Sequence, residues 1–499
     1  MTRAIVRSLY ALACLDGQPE PTSLEGGAAL IEHGVIREVG PFAALQARHP
    51  DSAVIGSGRD VLLPGLVNAH HHVGLTTTQL GIPDMELEPW LIARIGSRGV
   101  DPYLDTLYSA FELIASGVTT VQHIQIGTPG DARAIETSAN AILRAYRDVG
   151  MRASYAFATF DQNRLSDDGD ERLLACLPDD LARDARAWLD RFPMTLAEQT
   201  DLFGSLFSTW RDEDRIRIQL APANLQWCSD TALETLASTA EQFDVPLHMH
   251  LLETEQQLRY AARRGGGSAV AYLDRFGMLG PRLTLGHGVW LSDADLDRIA
   301  ETGTCVCHNC SSNFRLRAGL APLDRMLARG ITVAIGIDEA GINDDRDMLQ
   351  EMRMALTVHR VKGAGSVAPT SADILRMATT GGARTTGFGD RIGRIAVGSA
   401  ADLVLIDWDE VSGPYLDPRT PVVDALLRRA KPSAVRTVIC DGEVIYRDGR
   451  FTRVDRTAVL AELRERLTVP LSDDERHLQR LSAHLLDVWK LFTGEHHPS

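Results

Sequence analysis

The sequence predicts an α/β fold: a (β/α)8 TIM-type barrel with a small β-sandwich built from both chain ends. Three observations predict it. Eight short β-rich runs alternate with longer helical patterns between residues 61 and about 340. Polar residues suited to chemistry close several of those runs, at the strand ends where parallel barrels place their sites. The flanks, 1–60 and 391–452, hold short alternating segments broken by Gly. An open doubly wound sheet is the alternative, but no Gly-x-Gly-x-x-Gly follows an early strand.

The strands are expected at Val61–Val67, Val118–His123, Met151–Phe157, Arg215–Ala221, Pro246–Leu252, Leu283–His287, Thr304–His308 and Thr332–Asp338. Amphipathic stretches fall between them, at Asp105–Ser116, Ala132–Asp148, Thr231–Phe243, Ala269–Phe276 and Asp293–Glu301. The barrel is thus assigned to 61–390, with 1–60 and 391–452 as the two parts of the sandwich. In the second part Asp441-Gly442 sits between two apolar runs, as a hairpin requires. A stretch rich in Asp and Arg, about Asp161 to Asp214, separates strands three and four and is expected to cap the mouth. The tail, 453–499, reads as helical, with Leu478, Leu481, Leu485 and Trp489 three and four apart. Its pattern leaves open whether it packs on its own barrel or on a neighbouring subunit; a homo-oligomer is expected.

Composition narrows the class. The 499 residues are 44% hydrophobic and 24% charged, as in ordinary globular proteins. A formal charge of −16 argues against a nucleic-acid surface. No run approaches the roughly 18 apolar residues of a membrane span, and the start lacks a signal-peptide h-region. Seven cysteines, few and odd in number, suit reduced thiols in a cytoplasm. The cluster Cys305-Val306-Cys307-His308-Asn309-Cys310 lacks a second Cys/His pair at finger spacing. It reads as a buried strand with Cys305 and Cys307 as small core residues.

The chemistry begins at Pro64-Gly65-Leu66-Val67-Asn68-Ala69-His70-His71-His72. Residues two apart on a strand share a face, so His70 and His72 point together and form half of a divalent-metal site. His250 closes strand five, and Glu253 follows in the turn, a carboxylate placed to help activate a metal-bound water. His248 lies one layer deeper and reads as a core histidine. His287 closes strand six between two glycines, which leave space for a substrate or proton-relay role. Asp338 closes strand eight after an apolar run and needs a partner there, for which a metal serves.

Taken in order, these segments resemble the amidohydrolase superfamily, and within it the adenosine/S-adenosylhomocysteine, guanine and s-triazine aminohydrolases and chlorohydrolases. The resemblance is carried by residues 64–72, Ser116-Gly117-Val118-Thr119-Thr120, His250-x-x-Glu253, Gly286-His287, His308…Ser312-Asn313, Ala321-Pro322, Asp338 and Gly393…Asp402-Leu403. It implies a metal held by His70, His72, His250 and Asp338, with Glu253 and His287 at the proton-transfer and substrate-orienting positions. Strand four ends in Ala223-Asn224 and offers neither the Lys nor the Glu that bridges two metals in binuclear members. One ion is expected, with zinc first on ligand type and iron(II) also suited.

The expected reaction is hydrolytic displacement, foremost of ammonia, at an sp2 carbon of a nitrogen heterocycle. Glu253, His287 and Asp338 are its catalytic residues. Release of chloride or nitrite, or amide or urea hydrolysis, are the enzyme alternatives; a metal-free scaffold would have no reason to keep the full ligand set. Candidate substrate contacts are Gln79, Trp90, Trp227, His308, Phe314, Glu339 and Asn343. Glu339 departs from the family, which has a small residue after the metal-binding Asp. Two readings stand for it: a salt bridge outside the barrel, for instance to Arg346 or Arg353, or a bend into the mouth to accept N–H bonds from the heterocycle.

Overall fold

The computed structural model describes residues 3–13, 22–72, 74–360 and 369–493. It is a mixed α/β protein with two parallel sheets at its centre. The first holds Leu66–His71 (β1), Val118–Gln125 (β2), Arg152–Thr159 (β3) and the split strand Ile216–Ile218 with Ala221–Pro222 (β4). The second holds Leu247–Leu251 (β5), Leu283–His287 (β6), Cys305–His308 (β7) and Val333–Ile335 (β8). Parallel bridges Leu220↔Leu247 and His71↔Asp338 join the two sheets at both edges. These strands are buried on both faces, so they read as continuous apolar runs rather than as alternation.

Two further sheets draw on both ends of the chain. One orders Val35–Pro41, Gly27–Glu32, Arg3–Arg7 and Ala53–Ile55. The other has seven strands, with Leu403–Asp407 antiparallel to Asp60–Pro64, which runs parallel to Tyr10–Ala13. Apolar side chains of both, among them Val6, Ile31, Leu62, Leu405 and Ile439, form one core.

This arrangement divides the strand expected at Val61–Val67. Asp60–Pro64 pairs in the seven-stranded sheet, and β1 begins only at Leu66. The break is at Gly65, where a Cβ would meet Thr119 Oγ1 at 2.1 Å. Only a residue without a side chain lets the backbone pass that close. β8 is also shorter than expected: after Ile335 the chain leaves the ladder, and Asp338 adopts φ +66°. Between the two kinds of sheet lies Arg152, wholly buried, whose Nε donates to Asp402 at 2.8 Å and Nη2 to Asp441 at 2.6 Å. A buried charge is tolerable only when its donors are met, and this fork ties β3 to the flanking sheet.

The stretch from 161 to 214 forms three helices, Asp170–Leu174, Asp179–Leu189 and Leu196–Trp210. The tail helix, Asp473–Thr493, lies on its own chain. Its Leu481 and Leu485 pack with Ile95, Leu174, Leu181 and Ala185, and Ser482 Oγ donates to the Ile92 carbonyl at 3.0 Å. Among the described residues no helix is long and apolar enough to cross a membrane. Cys305 and Cys307 are buried in β7.

Candidate metal centre and its cavity

β1 ends in His70 and His71, with His72 just beyond, so strand alternation sends His70 and His72 inward. His71 faces the other way, toward Ser109 Oγ at 3.2 Å and the Asp338 carbonyl at 3.3 Å. His250, on the inward face of β5, meets them: His72 Nε2 lies 3.0 Å from His70 Nε2 and 3.1 Å from His250 Nε2. Asp338 Oδ1 is 3.1 Å from His72 Nε2 and 3.6 Å from His70 Nε2. Gly336 makes this approach possible, since a Cβ there would meet Asn309 Oδ1 and His70 Cβ, each at 2.5 Å.

The hydrogen bonds around the cluster decide what it can hold. His72 Nδ1 lies 2.7 Å from the Ile124 carbonyl, and His250 Nδ1 lies 2.8 Å from that of Ala223. A carbonyl only accepts, so both Nδ1 atoms carry the proton. In the neutral rings both Nε2 atoms are then lone pairs, facing each other with no proton to share. A cation between them removes the conflict, and three imidazoles with a carboxylate suit a divalent metal. The titration directions of two of the three rings agree, while that of His72 reflects its carboxylate neighbour. Burial and the neighbouring imidazoles push His70 and His250 well below the usual histidine range, which keeps their lone pairs free. Burial also opposes charge on His72, but the Asp338 carboxylate outweighs it and raises that ring.

The rest of the site is set by strained turns at the strand ends. Leu252, His287 and Asp338 have φ of +53°, +70° and +66°, positions that cost a non-glycine residue about 1–3 kcal/mol each. The turn at Leu252 carries Glu253 to the mouth, where its Oε1 lies 3.6 Å from His287 Nδ1. Burial, then the Asp338 charge, raises the Glu253 carboxyl well above the usual range, which favours its protonated form. His287 Nδ1 is 2.9 Å from Asn313 Oδ1, and its Nε2 is 3.2 Å from Asn309 Nδ2 and 3.7 Å from Asp338 Oδ2. Ser312 Oγ donates to Asp338 Oδ2 at 2.6 Å.

His248, read as a core histidine, is buried and does more than fill space. Its Nε2 lies 2.8 Å from His70 Nδ1 and so orients that ring. Gly286 leaves its room to this pair rather than to His287, since a Cβ there would meet His70 Cε1 at 3.2 Å.

A cavity of about 610 Å³ opens over the cluster. Its floor includes His72, His250, Glu253, His287 and Asp338; Trp90, Trp227 and Glu339 stand in its wall. The 161–214 insertion contributes Arg164, Trp188, Arg191 and Phe192, and the tail helix Asp474, Glu475 and Leu478. Glu339 does bend into the mouth, but its ion-pair partner is Arg94, from the helix Leu87–Arg94, rather than Arg346 or Arg353. Its second carboxylate oxygen is buried without a hydrogen-bond partner. Arg346 instead donates to the Glu339 backbone carbonyl at 3.0 Å, and Arg353 to the carbonyls of Arg428 and Ala430.

The other four candidate contacts lie outside that cavity wall. Gln79 caps its own turn, accepting from the Thr76 N–H at 2.9 Å. Asn343 donates to Gln350 at 3.0 Å, and Phe314 is 43% exposed. His308 is buried against His359, Nε2 to Nε2 at 2.9 Å. Strand-end position alone does not separate these from Trp90 or Glu339. The arginines and the tail helix carry no motif that marks them in the sequence.

The chain is 31% identical over 470 residues to a 5-methylthioadenosine/S-adenosylhomocysteine deaminase of Nitratidesulfovibrio vulgaris, covering 93% of this chain and 98% of that one. A zinc-bound adenosine deaminase structure from Xanthomonas campestris superposes with a TM-score of 0.77 at 27% identity, over 93% of this chain and 97% of that one. An atrazine chlorohydrolase from Arthrobacter aurescens TC1, complexed with zinc, shares the fold: TM-score 0.79 at 22% identity, over 93% of this chain and 99% of that one. Residues 30–51 match an imidazolonepropionase-like composite domain of bacteria. Residues 61–445 match the amidohydrolase family, and the chain belongs to it.

Proposed function

We propose that this chain is a metal-dependent aminohydrolase that releases ammonia from an sp2 carbon of a nitrogen heterocycle. One observation carries the reading: three inward Nε2 atoms and the Asp338 carboxylate converge beside Glu253, a buried carboxyl able to hold a proton, on the floor of a large cavity. The similarity to deaminases supports it. The two parallel sheets close into a (β/α)8 barrel in this reading, which the edge bridges support. The sandwich built from both chain ends then takes in Asp60–Pro64. Six free cysteines among the described residues fit a reducing cytoplasm.

One divalent ion, zinc, held by His70, His72, His250 and Asp338, would supply the positive charge that acidifies a water molecule beside the substrate. Glu253 moves a proton to a ring nitrogen, which makes the adjacent carbon electrophilic, and later to the departing amine. His287, fixed by Asn313 and Asn309, and Asp338, fixed by Ser312, align the attacking oxygen and balance charge as the carbon becomes tetrahedral. Trp90 and Trp227 offer ring faces to the heterocycle. Glu339, steadied by Arg94, turns its unpartnered oxygen toward the ring N–H groups.

The test is a screen of aminated, halogenated and nitro-substituted azines, purines, pterins and imidazoles, with the released group identified. Ammonia from an aminated member is expected. Chloride or nitrite release with no ammonia from any member would overturn the proposal. Glu339→Gln should lower kcat/KM on the best substrate by about 10-fold or more, the scale of one hydrogen bond to a charged group, with little change in Tm. A lowered Tm with near-normal kinetics would make Glu339 a structural partner of Arg94 instead.

A further inference from the structure

Among the described residues three arginines line the cavity: Arg94, Arg164 and Arg191. Arg94 is paired with Glu339, and Arg191 with Asp474 at 3.1 Å. Arg164 differs. Among the described residues no carboxylate oxygen lies within 4.0 Å of its guanidinium. Scarcity of acid does not explain this in a chain with 67 Asp and Glu against 51 Lys and Arg. The two acids that act on it most are engaged elsewhere. Asp170 accepts from the backbone N–H groups of Arg164, Leu165 and Ser166 at 2.9, 2.7 and 3.1 Å. Asp161 accepts from the Ser229 N–H at 2.7 Å and from its hydroxyl.

Two aromatic rings take the place of an ion pair. Arg164 Cζ lies 4.8 Å from the centroid of Phe160 and 4.5 Å from that of Phe192. Ring faces attract the cation and restrict its motion but offer no lone pairs to its N–H donors. Burial brings the guanidinium down to about 10, against the pull of Asp170 and Asp161, so its desolvation is only partly offset. Phe160 also packs on Trp227 at 5.1 Å, and Phe192 on Trp188 at 5.1 Å. This end of the cavity is therefore an aromatic wall holding one ready, unpaired fork of donors. The reacting end carries the carboxylates Glu253, Asp338 and Glu339.

We infer that Arg164 anchors a carboxylate carried on a substituent of the heterocycle, which makes the substrate class carboxylated aminoheterocycles. A guanidinium meets a carboxylate with two parallel N–H···O bonds, and the acidic residues at the reacting end turn the anionic group away from it. With Arg94 engaged by Glu339 and Arg191 by Asp474, Arg164 is, among the described residues that line the cavity, the one arginine without an ion pair, suited to a monoanion rather than a phosphate dianion. This inference rests on the aminohydrolase reading for the ring, but not for the anion.

The test uses matched pairs: pterin and pterin-6-carboxylate, adenosine and adenosine 5′-carboxylate, and diaminotriazine and its carboxylate. Ammonia release and calorimetric binding are measured for wild type, Arg164→Met and Arg164→Lys in the metal-loaded enzyme. The acid member of at least one pair should bind and react better in wild type. Arg164→Met should cut that acid-to-neutral ratio by about 10- to 100-fold, and Arg164→Lys should restore part of it, which also guards against a misfolded Met variant. Acid-selective binding without ammonia release would sustain the anchor and overturn the aminohydrolase reading. Neutral members that react with no acid preference, a ratio unchanged in both variants, or no acidic member bound at all would overturn the anchor.

Discussion

Glu253→Gln should retain its metal and lose about 10²-fold or more in kcat, the scale of a lost general acid–base. The amide keeps the shape and the buried position, 3% exposed, but cannot pass a proton. The backbone contact that holds this turn, from the Glu253 N–H to Gln257 Oε1 at 2.7 Å, does not involve the altered group. The loss should therefore appear in kcat, with metal content and Tm near those of wild type. Steady-state kinetics with elemental analysis of the same preparation reads both. Normal turnover by the variant would leave proton transfer to His287 and Asp338 and remove Glu253 from the reaction.

His250→Ala should strip most of the metal and nearly all activity, a larger effect than the about 10–100-fold typical of outer partners. The His250 ring is positioned by the Ala223 carbonyl at 2.8 Å, and its Nε2 is one of the three that meet at the centre. Without it, the two remaining imidazoles and Asp338 bind a divalent ion less completely. Elemental analysis after extensive dialysis, beside an activity assay, measures the outcome. A metal-free but fully active variant would sink the metal centre as proposed.

Much of the site could be read from the sequence because strand periodicity is local. The spacing of two in His70-x-His72 puts both rings on one face whatever the rest of the chain does. An acid or imidazole at the end of an apolar run is likewise visible before folding, as at His250, His287 and Asp338. The same logic misplaced Val61–Val67. An unbroken apolar run does not record that its first half pairs with Leu403–Asp407 and its second with β2.

By itself, then, the sequence determined the alternation of strands and helices, the inward pair of histidines, the imidazole that ends β6, and the carboxylates that follow β5 and β8. Each depends on residues a few positions apart. Only the tertiary structure decided that His248 orients His70, that Glu339 pairs with Arg94, and that Arg164 stands between two phenylalanines without a carboxylate. It also decided that the tail helix folds back over its own cavity. These contacts join residues up to several hundred positions apart. Which of many equivalent arginines or leucines meet is set by how sheets and helices pack, not by any periodicity along the chain.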